Sequence, residues 1–235
     1  MNHKKKHLVI AIDGPAGAGK STVAMLVARK LGFLYIDTGA MYRVLTLKAL
    51  RLKLDLNNKE SLIEMSEKSI IELIQDANGC KIFLDGEDVS KQIRTEEISA
   101  NSHFVASIPE IREILWKVQR SYRNSHDIVM EGRDIGTVVF PDAEVKIYLD
   151  ASPEERAKRR YLQLKAQGTE INIENIKDEI LLRDERDSKR AIAPLTKHPE
   201  AIIIDTTSMT IEQVVATIVE TYKKKLADAI SPSKT

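Results

Sequence analysis

His7-Leu8-Val9-Ile10-Ala11-Ile12-Asp13 followed by Gly14-Pro15-Ala16-Gly17-Ala18-Gly19-Lys20-Ser21-Thr22 decides how the rest of the chain is read. The first seven residues form a short apolar run of the buried-strand type. The next eight match G-x-x-x-x-G-K-[ST], and an amphipathic pattern over Lys20–Leu31 follows at once. Strand, glycine loop and helix in that order are the context the motif requires. Glycines let backbone N–H groups turn inward toward phosphate oxygens, and the helix N-terminus adds a favourable dipole. The motif assigns Lys20 to the β- and γ-phosphates and the Ser21 hydroxyl to Mg²⁺. A nucleoside triphosphate is therefore the expected ligand of Gly14–Thr22.

Outward from this loop, four more apolar runs have the same character: Phe33–Asp37, Asp127–Glu131, Val145–Asp150 and Ala201–Asp205. Each ends on an acidic residue, as though polar groups gather at one sheet edge. Helical patterns cover Met41–Leu50, Ile108–Arg123, Pro153–Gln167, Ile173–Arg190 and Ile211–Ala227. Alternating strands and helices predict an α/β fold, a doubly wound five-stranded parallel sheet binding ligands beyond the strands' carboxyl ends. From about Asn57 to Ser107 the alternation breaks. A polar helix leads to Lys81–Leu84 and then Asp85-Gly86, a hairpin turn signal, which predicts a small antiparallel insertion.

Composition bounds the partners. The 235 residues carry 36 Lys plus Arg against 35 Asp plus Glu, so no global field attracts nucleic acid or an anionic membrane. A bound anion must be gripped by local groups. The single cysteine, Cys80, rules out a disulfide framework. No apolar run approaches the ~18 residues of a membrane span. A cytoplasmic monomer is expected. A GTPase would need N-K-x-D, and Asn58-Lys59-Glu60-Ser61 is not that; Asp76-Ala77-Asn78-Gly79 spells D-x-x-G, but in a polar turn.

Scattered arginines point instead to a small phosphoryl-group acceptor. Arg43 falls one turn into the helix after the second strand, and Arg112 early in a later helix. Glu131-Gly132-Arg133-Asp134 ends the third apolar run, where both charges need partners. Arg183, Arg186, Asp187 and Arg190 recur at helical spacing on one face. Such a run also serves as a solvated salt-bridged face, yet it equally preorganises guanidinium forks for phosphate. Arg156, Arg159 and Arg160 form a basic helical face ahead of Gly168 and Thr169, which suits a lid over ATP phosphates.

GPAGAGKST, IDTGAMYR, IPEIR, GRDIGTVVFPDAEVKIYLDASPEERAKRR and RDERDSKRAIAPL together closely resemble the bacterial cytidylate (CMP) kinases, members of the nucleoside monophosphate kinase group. The resemblance runs from about Leu8 to Tyr222 and implies three parts. These are a CORE (1–37, 111–155 and 172–227), a monophosphate-binding region with its insertion (38–110) and a LID (156–171), with a frayed tail at 228–235. It implies that Arg43, Arg133 and Arg190 hold the acceptor phosphate and that Thr38 and Tyr42 line its pocket. Arg183 and Asp187 would meet the sugar, while Arg112 and Asp134 read cytosine. A carboxylate suits the N4 amino donor of cytosine and repels the oxygen of uracil. His103 stands where the family has a serine, with Ser102 beside it, and is the third expected base contact. Lys20, Arg133, Arg156 and Arg160 would act on the migrating phosphoryl group, with Arg159 on ATP. The implied reaction is transfer from Mg²⁺-ATP to CMP or dCMP. The rivals are a kinase for another nucleoside monophosphate or small metabolite, and a nucleotide-dependent switch.

Overall fold

A computed structural model describes residues 7–76, 79–166 and 172–230. In chain order the elements are β1 (Val9–Asp13), α1 (Lys20–Leu31), β2 (Leu34–Asp37), α2 (Thr38–Arg51), α3 (Lys59–Glu67), β3 (Ile71–Asp76), β4 (Gly79–Leu84) and β5 (Glu87–Asp88). There follow α4 (Glu96–Ala106), α5 (Pro109–Ser121), β6 (Ile128–Gly132), β7 (Val145–Asp150), α6 (Pro153–Ala166), α7 (Ile173–Lys189), β8 (Ile202–Asp205) and α8 (Ile211–Ile230).

β1, β2, β6, β7 and β8 form a five-stranded sheet in the order β2-β6-β1-β7-β8, and every neighbouring pair is parallel. Successive strand residues point to opposite faces, so β1 feeds two separate cores. Val9 and Ala11 join Ile36, Met41, Leu45, Ile111 and Leu115 on one side. Ile10 and Ile12 join Val23, Val27, Val214 and Ile218 on the other. The connection from β1 runs toward β2 at one edge and that from β6 runs the opposite way to β7, which opens a crevice at the switch point between the carboxyl ends of β1 and β6.

The insertion holds a second sheet, β3-β4-β5, antiparallel throughout. Asp85-Gly86 makes the turn between β4 and β5, with Asp85 at φ 51 and Gly86 at φ 86. β3 and α4 are elements the sequence reading did not separate. Ile71-Glu72-Leu73-Ile74-Gln75-Asp76 lacks a clean alternation, and the polar helix Glu96–Ala106 buries only Ile98 and Val105. The D-x-x-G tetrad spans the end of β3 and the start of β4; residues 77–78 within it lie outside the described residues. Gln75 ties this sheet to the main one. Its amide accepts from the Tyr35 backbone N–H at 3.0 Å and donates to the Phe33 carbonyl at 3.4 Å.

Helix ends differ from expectation for local reasons. α2 starts at Thr38 rather than Met41 because Asp37 caps it, accepting from the Ala40 N–H at 2.8 Å. α8 continues to Ile230, past Asp228 where a frayed tail was expected; 231–235 lie outside the described residues. So do 167–171, which include Gly168 and Thr169 of the expected lid loop. Among the described residues no helix is long and apolar enough to cross a membrane.

Candidate active site

The chain leaves β1 at Asp13 and turns through Gly14, Gly17 and Gly19, with φ of 148, 78 and 87, into α1. A Cβ on Gly14 would lie 2.0 Å from the Leu149 carbonyl oxygen, and one on Gly17 3.0 Å from Arg156 Cβ. Only glycine fits both the conformation and the space. Pro15, Ala18 and Lys20 are buried, Ala16 and Gly19 are half-buried, and Thr22 is exposed on the first turn of α1. The Lys20 Nζ donates to the Pro15 carbonyl at 2.7 Å. Burial, reinforced by the nearby Arg133 guanidinium, pushes the ammonium down to about 7. The Ser21 hydroxyl donates to Glu131 Oε1, which also accepts from the Tyr35 hydroxyl at 3.3 Å.

Asp13 joins this loop to the other half of the site. Its two carboxylate oxygens accept from the backbone N–H groups of Ile135 and Gly136, at 2.8 and 2.7 Å, just beyond Arg133 and Asp134. Burial raises its carboxyl from 3.8 to about 7, with the two N–H donors opposing. Between about pH 4 and 7 the folded chain thus keeps a proton that the unfolded chain has released, so this group's contribution to stability falls as pH rises through that window. Asp13→Asn should flatten the difference between melting temperatures at about pH 5 and about pH 8 by an amount equivalent to a few kcal/mol. An unchanged difference would contradict the assignment.

Beyond β2 and β6 a second set of side chains converges. Asp37 pairs with Arg43 at 2.9 Å and Arg94 at 3.3 Å. Burial alone would raise the Asp37 carboxyl, but these two guanidinium groups outweigh it and hold the group below its ordinary value. The Thr38 hydroxyl donates to the Glu131 carbonyl at 2.8 Å, fixing the start of α2 against β6. Arg133 Nε donates to Asp187 Oδ2 at 2.8 Å. Arg190 turns back from the end of α7 to donate to the Ile192 and Ala193 carbonyls, with its Nη1 3.9 Å from Asp187. Arg112 is fully buried and donates to Asp134 Oδ2 at 2.8 Å. Arg183 is exposed at the cleft, and the protein crowded around its guanidinium together with the neighbouring Arg133 pushes it down to about 10.

These groups enclose one cleft of about 220 Å³. Lys20, Arg43, Arg112, Arg133, Arg183 and Arg190 face Asp37, Glu131, Asp134 and Asp187, six bases against four carboxylates. Thr38 and Tyr42 complete the wall, so arginines far apart in sequence share one space with the phosphate loop. A nearly neutral chain has concentrated positive charge where two anions would meet.

Four expected residues stand elsewhere. His103 is exposed, with its Nδ1 2.7 Å from the Ala100 carbonyl and its ring 4.1 Å from that of Phe104. Ser102 lines the cleft in its place. Consecutive helical residues differ by ~100° around the axis, so Ser102 and His103 cannot face the same pocket. Of the two, the structure places Ser102 and not His103 on the wall of the cleft. None of the three α6 arginines lines the cleft; Arg156 and Arg159 flank the loop and Arg160 reaches α4. Arg156 donates to the Ala16 carbonyl at 3.1 Å and pairs with Asp184 at 2.5 Å. Arg159 donates to the Thr206 hydroxyl and carbonyl at 3.0 and 2.7 Å, and Arg160 pairs with Glu96 of α4. Asp13, Tyr35, Arg94 and Trp116 belong to the site's framework and were not singled out from sequence; the acidic strand ends were the available signal for Asp13.

The switch-point crevice and a glycine loop that shares one cationic cleft with distant arginines define a P-loop phosphotransferase. The family model for cytidylate kinase matches residues 10–224. The chain is 54% identical over 215 residues to a cytidylate kinase of Caldanaerobacter subterraneus subsp. tengcongensis, covering 92% of this chain and 94% of that one. It is 50% identical to one of Alkaliphilus oremlandii, covering 91% and 97%. This chain belongs to the cytidylate kinase family. A solved structure of an uncharacterized protein from Eubacterium ventriosum, 14% identical, superposes with a TM-score of 0.51 over 93% of this chain and 99% of that one, a likeness of fold.

Proposed function

We propose that the protein transfers the γ-phosphoryl group of ATP to CMP or dCMP, giving ADP and CDP or dCDP. The observation that carries this reading is the convergence of Arg43, Arg133 and Arg190 with Lys20 around one cleft. An acceptor phosphate oxygen attacks the γ-phosphorus while the bond to the β,γ-bridging oxygen breaks, and that oxygen leaves with ADP. No general base is required, because a phosphate monoester with its second pKa near ~6 is already largely dianionic at neutral pH. What the chain supplies is positioning and charge neutralisation. The loop from Gly14 to Ser21 and Lys20 hold the donor phosphates, and Arg43, Arg133 and Arg190 hold the acceptor phosphate. Arg183 and Asp187 face the sugar, and Arg112 with Asp134 the base, where Ser102 adds a hydroxyl. Arg156 and Arg159 support the donor side of the loop, and Arg160 links α6 to the insertion; closure of the lid beyond Arg159 and of the insertion within 38–110 would exclude water.

Mg²⁺ fits the donor side. Ser21 and Glu131 present two hard oxygen ligands side by side, and burial with the nearby Asp37 raises the Glu131 carboxyl, a cost that a cation would offset. Among the described residues no group of three His, Cys, Asp or Glu side chains is placed to hold a metal, so the ion would take most of its ligands from nucleotide phosphates and water. When bound, it would draw charge from the β- and γ-phosphate oxygens.

Free nucleotides are the expected partners of a monomer acting in the cytoplasm, where ATP and CMP are held. The test is ADP formation with CMP, dCMP, UMP, dTMP and AMP as acceptors. CMP and dCMP should exceed the others in kcat/KM by about tenfold or more. A preference for UMP would remove Asp134 as base contact. ADP formation indifferent to any acceptor would favour a nucleotide-dependent switch.

A further inference from the structure

Trp116 is the single tryptophan of the chain and lies one turn beyond Arg112 on α5. Its indole Nε1–H donates to Asp134 Oδ2 at 3.1 Å, the same oxygen that accepts from Arg112 at 2.8 Å. The Arg112 guanidinium also lies over two aromatic rings, 5.3 Å from the Tyr42 centroid and 5.5 Å from that of Trp116. Arg112, Tyr42 and Asp134 line the cleft and Trp116 does not. The indole therefore stands behind the pair facing the base and touches both members of it.

The physical consequence concerns the orientation of one carboxylate. A carboxylate held by one donor can pivot about that bond, and fixing it on ligand binding costs rotamer entropy. Two donors on Oδ2, from different directions, remove the pivot and leave Oδ1 for an incoming N–H. Stacking across the guanidinium likewise restrains Arg112. We propose that Trp116 is a positioning residue for base selection, its indole fixing Asp134 and Arg112 so that Oδ1 of Asp134 is presented to the exocyclic amine of cytosine. This rests on the reading of Asp134 as the base contact. Uracil has no amine for that oxygen and gains nothing from its being fixed, so the effect of Trp116 is selective for cytosine.

Kinetics with CMP and UMP on wild type, Trp116→Phe and Asp134→Asn test this. Phenylalanine keeps a ring against Arg112 and the core but removes the N–H. Losing a hydrogen bond to a charged group should raise KM for CMP about tenfold, with kcat within about twofold. The ratio of kcat/KM for CMP over UMP should fall by about fivefold or more. KM for ATP should not move. A merely structural role would lower turnover or stability for both acceptors alike and leave the ratio intact. If Asp134→Asn collapses the ratio while Trp116→Phe leaves it unchanged, the role of Trp116 is overturned and the base contact stands. If Asp134→Asn leaves the ratio unchanged, the base contact falls, and Trp116 with it.

A second measurement needs no change at Trp116. One tryptophan gives one indole ¹H–¹⁵N resonance, which should move on Asp134→Asn and on saturation with CMP more than with UMP. A resonance indifferent to Asp134→Asn overturns the proposal even if Trp116→Phe fails to fold.

Discussion

Lys20→Ala should lower kcat by about 10³-fold while the melting temperature changes by only a few degrees. The two halves of that expectation have different origins. Lys20 is buried at the glycine-loop end of the cleft, and among the described residues its Nζ hydrogen-bonds only to Pro15 within its own loop. Losing that bond costs about 1 kcal/mol. Against this, burial and the neighbouring Arg133 disfavour the ammonium enough to bring it down to about 7. Removing a cation held under those conditions relieves part of its own cost, so the fold tolerates alanine. Catalysis does not, because charge on the γ-phosphate grows toward the transition state, and a pre-positioned cation stabilises that charge without having to reorganise first. Coupled ADP detection and thermal melts on one preparation separate the two; activity within tenfold of wild type would remove Lys20 from the donor site.

Arg133→Ala should reduce kcat/KM for CMP by about 10²- to 10³-fold, with KM for ATP little altered. Arg133 ends β6 where the strand enters the crevice, and its Nε is fixed by Asp187 of α7. The other guanidinium nitrogens are left for an anion, apart from a 3.3 Å contact from Nη1 to the Gly132 carbonyl. Lysine is a poor substitute, since a point charge cannot grip Asp187 and a phosphate in two directions at once. Alanine leaves Asp187 with Arg183 and Arg190 as its remaining cationic neighbours. Some stability is therefore lost, and Arg133→Ala combined with Asp187→Ala should recover part of it without recovering activity. Recovery of activity in the double variant would show that Arg133 acts only by neutralising Asp187.

Much of this was legible in the chain. The glycine loop fixed β1 and α1, and the acidic strand ends marked the carboxyl edge of the sheet. Arg43 stands out near a helix start, Arg133 beside a strand end and Arg190 on a helix face shared with Arg183 and Asp187, while their grouping around one phosphate is what the family resemblance implies. What could not be read depended on direction. Ser102 and His103 are adjacent in sequence, and only the rotation of α4 decides which enters the cleft. Trp116 reads as a core aromatic, and it does pack against the core, but its one polar atom meets a carboxylate eighteen residues further along the chain. Asp13 shows no motif of its own; its partners are backbone N–H groups, which carry no mark in the sequence. The α6 arginines could be assigned to a helix face but not to the outer side of the loop.

The way α6 is fastened constrains how the molecule can flex. Gly17 lies against Arg156, whose guanidinium grips the Ala16 carbonyl, and Arg159 is bolted to Thr206 at the end of β8. A swing starting at the base of this helix would pull apart the glycine loop that it braces. Any bending must begin past Arg159, with the first turn and a half serving as a fixed abutment. Arg160, the next residue, instead reaches across to Glu96 on the far bank. One residue step thus separates the anchored part of the helix from the part that spans the gap, so the outer turns can shift while the glycine-loop amides keep their places.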